Sequence, residues 1–114
     1  MHEISISQHI LRSLEAELPA KEYQSIKGIK LKIGALAGVE PVLLHNAFQA
    51  VTQDTHQANI DLDIEFLNVK AHCNICNKDF EVKMHKYICE DCGTPSSQVV
   101  QGNELLIHQV FLNE

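Results

Sequence analysis

The chain has no tryptophan and only two Tyr and four Phe in 114 residues, so it offers few ring faces on which nucleic-acid bases could stack. It is equally short of positive charge. Nine Lys plus Arg stand against fifteen Asp plus Glu, a formal net charge of -6, and the general attraction to phosphate that drives nucleic-acid binding is missing. The first ten residues carry no basic leader and run into no unbroken apolar stretch, which argues against a signal peptide and a membrane span and predicts a cytoplasmic protein. No Gly-rich phosphate loop, G-x-S-x-G elbow or Cys-His nucleophile arrangement is present, so no enzyme chemistry is expected. What remains is a chain with 45% hydrophobic and 21% charged residues, ordinary for a folded domain, carrying seven His and four Cys. Those eleven side chains are a stock of borderline and soft metal ligands.

Periodicity predicts an α+β fold in which two helices pack on a small three-stranded sheet. Ile4, Leu11, Leu14 and Leu18 fall on one helical stripe with Ile10 beside it, and the S-x-x-Q spacing of Ser5 and Gln8 places the start near residues 4–6. Pro19 stops that helix. Ile29, Leu31 and Ile33 alternate with Lys30 and Lys32 in a half-buried strand that ends at Gly34. Pro41 suits the first position of a second helix, with Leu44, Ala47, Phe48 and Val51 on one face and an end near Thr55. Ile60, Leu62, Ile64 and Phe66 then alternate with Asp61, Asp63 and Glu65. If the two strands are neighbours, their basic and acidic faces would oppose each other. The last run, Leu105–Leu112, reads as a strand of either facing, because both alternating sets are apolar. Between Ala71 and about Gln98 both patterns lapse. The expected organisation is therefore an α+β domain begun by residues 1–70, interrupted by a ribbon at 71–98 and completed by a returning C-terminal strand at 99–114.

All four cysteines lie in that interruption. Cys73 and Cys76, then, after twelve intervening residues, Cys89 and Cys92, have the C-x2-C, C-x2-C spacing of a tetrahedral four-thiolate zinc site. A reducing cytosol favours metal binding over disulfides. Four thiolates leave no open position for water or substrate, so zinc here is structural. A ribbon this short cannot bury enough apolar area to fold alone, and the ion acts as its core. Gly93 can take the positive φ that the second turn needs. His72 and His85 flank the site as potential replacement ligands but read first as solvated. Residues 72–94 carry three Lys against four carboxylates, which disfavours a nucleic-acid ribbon.

The amino terminus holds a second, less specific set of donors. His2 is large, which disfavours removal of the initiator Met, so the free amine is expected to be that of Met1. The Met1 amine, the His2 amide nitrogen and the His2 imidazole can close five- and six-membered chelate rings, and the Glu3 amide can complete a square plane. Square nitrogen ligation suits Ni(II) or Cu(II), yet any chain beginning Met-His offers these atoms.

The opening Met-His-Glu-Ile-Ser, the stretch Ile33-Gly34-Ala35-Leu36-Ala37-Gly38-Val39-Glu40-Pro41, the four-Cys array and the following Gly102-Asn103-Glu104-Leu105 together resemble the HypA/HybF family of nickel metallochaperones over essentially the whole chain. The resemblance implies Ni2+ as transported cargo on Met1, His2 and Glu3, with His2 the indispensable side chain. It implies a separate structural Zn2+ on Cys73, Cys76, Cys89 and Cys92. It further implies delivery to the precursor of the [NiFe]-hydrogenase large subunit, or to urease in some organisms, in cooperation with the accessory GTPase HypB. Ala37 stands where many relatives carry Ser. The expected partners thus include no nucleic acid and no membrane, and the chain is expected to be a monomer or weak homodimer. The competing readings are a zinc-ribbon interaction module with no cargo and a nucleic-acid-binding ribbon. His9, His45, His56 and His108 read as core or surface residues, and Glu40 as a charge favouring the helix that follows it.

Overall fold

The computed structural model describes residues 2–113. Its elements run α1 (Glu3–Glu17), α2 (Ala20–Tyr23), β1 (Ile26–Gly34), a 3-10 turn (Ala35–Ala37), α3 (Pro41–Thr52), β2 (Asp61–Leu67), β3 (Lys70–Cys73), β4 (Lys78–Glu81), β5 (Val99–Gln101) and β6 (Leu105–Leu112). The radius of gyration is 17.6 Å, against about 13 Å for one compact domain of this length. The excess has a simple source. Two separate three-stranded sheets, ordered β2-β1-β6 and β4-β3-β5, lie along an axis 54 Å long.

In the first sheet β1 is central, parallel to β2 and antiparallel to β6. Its inward residues Ile29, Leu31 and Ile33 are fully buried, and they meet Ile6, Ile10 and Leu14 of α1 and Leu44 and Phe48 of α3. On the outer face the register sets Lys30 beside Asp63 and Lys32 beside Glu65, as the opposite charges of the two strands predict. Lys30 Nζ lies 3.6 Å from Glu65 Oε1, a half-exposed pair contributing a few tenths of a kcal/mol.

The structure moves several predicted boundaries. Helix α1 starts at Glu3 and not within 4–6, because His2 is the N-cap and its ring nitrogen Nδ1 accepts the Ile4 amide at 3.3 Å. Ser5 is inside the helix and caps nothing. The buried stripe is also rotated: Ile6, Ser7, Ile10, Leu11 and Leu14 face the core while Ile4 is turned out. Ser7 can occupy the stripe because its hydroxyl donates to the Glu3 carbonyl at 3.0 Å. Helix α3 ends at Thr52, three residues short of Thr55. The one-turn α2, which periodicity does not signal, returns the chain towards β1 after Pro19.

Strand β6 settles its facing through a bulge. Gln109 pairs with Lys30 and Ile107 with Leu31, so His108 is the extra residue. Ile107 therefore faces inward together with Val110 and Leu112, and neither alternating set read from the sequence is buried as a whole. Val99–Gln101 pairs with β3 and belongs to the second sheet, three residues past the predicted end of the ribbon at 98. The return to the first sheet begins at Leu105.

Candidate metal centres

Two local turns build the cysteine cluster. Strand β3 delivers Cys73, and the turn that follows returns Cys76, whose amide donates to Cys73 Sγ at 3.4 Å. Asn77 closes this turn with φ +53°, a conformation that Asn tolerates. The second turn repeats the device. Gly93, at φ +70°, donates its amide to the Cys89 carbonyl at 2.8 Å, and the Cys89 amide bonds the Thr94 carbonyl. Gly93 is readable in the sequence as such a turn residue, whereas Asn77 shows its role only in the backbone.

The four sulfurs converge. Cys73 Sγ is 3.5 Å from Cys92 Sγ, Cys76 Sγ is 3.9 Å from Cys89 Sγ, and all four lie within 4.8 Å of one another. An ion bonded tetrahedrally to four sulfurs at about 2.3 Å spaces them by roughly 3.8 Å, so the cluster is already sized for one. The surrounding core is small: Ala71, Phe80, Cys73 and Cys89 are its only buried members, with Val82 and Tyr87 partly buried against it. Lys78 pairs with Asp91 across the two cysteine turns.

The thiols differ in acidity before any ion enters. The Thr94 hydroxyl and amide hydrogen-bond the Cys92 sulfur and lower its pKa to about 6. Cys76, which shares hydrogen bonds with Cys92 and then with its other sulfur neighbours, is pushed up to about 12. At neutral pH the pair is therefore largely one thiolate and one thiol. Metal loading is expected to expel the Cys76 proton, and affinity is expected to fall further below pH about 6, where Cys92 also protonates. Calorimetric titration in buffers of different protonation enthalpy measures this release. Loading without proton release would contradict it.

Among the described residues the four cysteines are the only group of three or more His, Cys, Asp and Glu side chains placed to share an ion. The other predicted site stands differently. Met1 lies outside the described residues. His2 is exposed at the N-cap, and Glu3 opens α1, where its carbonyl serves Ser7. The ladder begins with the Ile6 amide bonded to the His2 carbonyl at 3.0 Å. The backbone N–H of Glu3 therefore has no helical partner, as at any helix start. Ile6, His9 and Ile10 of α1 line one groove with Leu105–Ile107 of β6.

The remaining histidines are scattered. His9 Nε2 is 3.4 Å from Ser13 Oγ, His56 stands edge-on to Tyr23, and His72 Nδ1 meets Asp79 Oδ1 at 2.8 Å. His85 sits at the hairpin tip with φ +62° and takes no part in the cysteine cluster. Glu40 is the N-cap of α3, its carboxylate accepting the Val42 amide at 3.4 Å, in keeping with the dipole argument.

A family model described as hydrogenase/urease nickel incorporation, metallochaperone, hypA, matches residues 1–112. The chain belongs to the HypA family. A hydrogenase maturation factor HypA from Azotobacter chroococcum mcd 1 is 34% identical over 110 residues, covering 96% of this chain and 97% of that protein. The fold is likewise that of solved HypA proteins. One solution structure matches with TM-score 0.70 and 23% identity, covering 99% of this chain and 97% of that one. A second, of the Ni metallochaperone HypA from Helicobacter pylori, matches with TM-score 0.62 and 24% identity over 98% and 97% of the two chains. HypA membership makes this a nickel-incorporation metallochaperone, and a family of metallochaperones is a family of carriers. Among the described residues no helix is long and apolar enough to cross a membrane.

Proposed function

We propose that this HypA-family chain carries Ni(II) on Met1, His2 and Glu3, and that zinc on Cys73, Cys76, Cys89 and Cys92 is a resident structural ion. The observation that carries the nickel reading is the start of α1 at Glu3 with His2 exposed. An amide nitrogen must lose its proton to bind Ni(II) in a square plane, which is open only to an amide outside the helical ladder. The Glu3 amide meets that condition, and any start further along the chain would leave the imidazole remote from a fixed helix end.

The His2 ring nitrogen nearer its own backbone, and so the one able to reach this site, is Nδ1, the atom that caps Ile4. Nickel and cap therefore compete for one lone pair. Loading costs the helix one capping bond, typically about 1 kcal/mol, and release restores it, so the carrier is biased slightly towards letting go. One side of the site stays open for ligand exchange with a client.

We read the α+β layers, with β6, as the nickel-binding unit and the β3–β5 ribbon as the inserted zinc unit. The clients that fit are the [NiFe]-hydrogenase large-subunit precursor, with HypB as accessory GTPase, in the cytoplasm. Hydrolytic or redox catalysis at the cysteines is not part of this reading, because four thiolates saturate a tetrahedral ion.

The test is a nickel titration of zinc-loaded protein in three forms: untagged, extended by residues before Met1, and His2→Ala. The square-planar absorption band and stoichiometric binding are expected only in the first, with apparent affinity falling by roughly a hundredfold or more in the others. Binding that survives both changes would falsify the amino-terminal site.

A further inference from the structure

We propose that the cysteine cluster is a modification site for hydroperoxides, in which Cys92 is oxidised first and Cys73 then closes a disulfide across the two turns, releasing the zinc. This modification needs no nickel and rests on the assignment of the four sulfurs to zinc.

Four sulfurs on one ion are not equally open to a reagent. Cys73 and Cys89 are each 1% exposed and belong to the small core of the ribbon, and Cys76 is partly buried against it. Cys92 alone of the four is exposed. Zinc holds all its sulfur ligands as thiolates, the form that peroxides oxidise, so access and not acidity chooses among them. The choice falls on Cys92.

The sulfur placed to resolve the oxidised Cys92 lies on the other turn. Cys73 Sγ is 3.5 Å away, whereas Cys89, the partner of Cys92 in its own C-x2-C, turns its sulfur towards Cys76 at 3.9 Å. A disulfide is about 2 Å long, so Cys73 and Cys92 need to close by roughly 1.5 Å. The Cys76 amide, donating to Cys73 Sγ at 3.4 Å, keeps that sulfur in place at the centre of the cluster. Oxidation therefore links the two turns and does not close either turn on itself.

The chemistry balances with one hydroperoxide as the oxidant. The Cys92 thiolate attacks a peroxide oxygen; the O–O bond breaks, an S–O bond forms and hydroxide leaves, so the sulfur loses two electrons and the peroxide gains them. The Cys73 thiolate then attacks the Cys92 sulfur, the S–S bond forms, the S–O bond breaks and a second hydroxide departs. Both hydroxides take protons from the buffer and become water. Only Cys76 and Cys89 remain as thiolates, half of the set that holds the ion, and it is released. A dithiol reductant returns both sulfurs to the thiol form, ready to bind zinc again. The site thus converts contact with a peroxide into loss of the ion on which the ribbon depends.

The experiment treats full-length, reduced, zinc-loaded protein with one equivalent of hydrogen peroxide beside a chromogenic zinc indicator. One zinc is expected to leave per disulfide formed, and dithiothreitol with added zinc is expected to restore the starting protein. After alkylation of the remaining thiols, cleavage behind lysine puts Cys73 and Cys76 on residues 71–78 and Cys89 and Cys92 on residues 87–114. The expected disulfide is read in the mass spectrum as these two peptides joined, and fragmentation assigns the sulfurs to Cys73 and Cys92. A disulfide inside either C-x2-C leaves the peptides separate. Dimedone, which caps sulfenic acid, is expected to add to Cys92 and to suppress the joined pair. Zinc and four thiols that survive a large excess of peroxide overturn the proposal. Separate peptides, or a join through other sulfurs, overturn the pairing, and dimedone on another cysteine overturns the point of entry. Reduced protein that holds no zinc before peroxide is added overturns the zinc assignment itself, a failure visible at an earlier step than the others.

Discussion

Replacing Cys76 with Ser is expected to unfold the ribbon while the α+β layers stay folded. The buried core of the ribbon contains Phe80 as its only large hydrocarbon side chain, beside Ala71 and two of the sulfurs themselves. An area this small does not offset the conformational entropy of ordering some thirty residues at about 1–2 kcal/mol of backbone each. Structural zinc supplies roughly 10–16 kcal/mol in small finger peptides, which is enough to decide whether such a unit folds. Loss of one of four thiolates removes most of that. The first sheet has its own core of thirteen buried residues, none from the ribbon, and should survive. In amide-resolved NMR the signals of residues 72–96 should collapse towards random-coil positions while those of α1, α3 and β1 remain dispersed. Chelation of the wild type should give the same pattern. A ribbon that stays dispersed without metal would sink the structural assignment.

Gly34→Ala is expected to cost about 4 kcal/mol or more, enough to unfold most of the population of a marginally stable chain. A Cβ on Gly34 would lie 2.1 Å from the carbonyl carbon and oxygen of Gly102 and 2.6 Å from Glu104 Oε1. The obstacle is backbone, which cannot rotate away as a side chain can. The contact is close because the end of β1 and the start of β6 are tied there. The Gly34 amide donates to the Glu104 carbonyl and the Leu36 amide to the Gly102 carbonyl, both at 2.8 Å. The Gly102 amide in turn donates to the Glu104 carboxylate at 2.8 Å. This knot is where the chain leaves the ribbon and re-enters the first sheet. Gly38→Ala is the control. Gly38 has φ +73° but nothing within 4 Å, so only backbone strain of about 1–2 kcal/mol is expected. Urea unfolding of the three proteins measures the difference, and equal losses at the two glycines would refute the steric account.

The stretch beginning Ile33-Gly34 and the segment Gly102-Asn103-Glu104-Leu105, both of which carry the family resemblance, meet at this knot. They are almost seventy residues apart in the chain and touch through their backbones. Sequence shows both segments as motifs and is silent on their contact.

The sequence by itself determined the features whose causes are short-range. Cys73 with Cys76, and Cys89 with Cys92, are spaced so that a tight turn turns both sulfurs towards one ion, and the structure brings all four within 4.8 Å. Alternation in β1 and β2 gave their buried and outer faces, and the opposite charges on those outer faces fit the pairing of Lys30 and Lys32 with the acidic strand that the sheet adopts. Pro41 and Glu40 marked the start of α3 through local backbone chemistry.

Only the tertiary structure decided what depends on distant partners. Both faces of Leu105–Leu112 are apolar, and the choice between them fell to the pairing with β1, which inserts His108 as a bulge. Val99–Gln101 joined the ribbon because the edge of β3 was free to receive it. At α1 the stripe rotated to Ile6 and Ser7, since a hydroxyl that bonds its own helix can be buried, and His2 took the cap that Ser5 and Gln8 had suggested for residues further on. Periodicity reports which residues share a face over one or two turns. Which face is covered, and where a strand breaks step, is set by elements that the chain reaches only after folding.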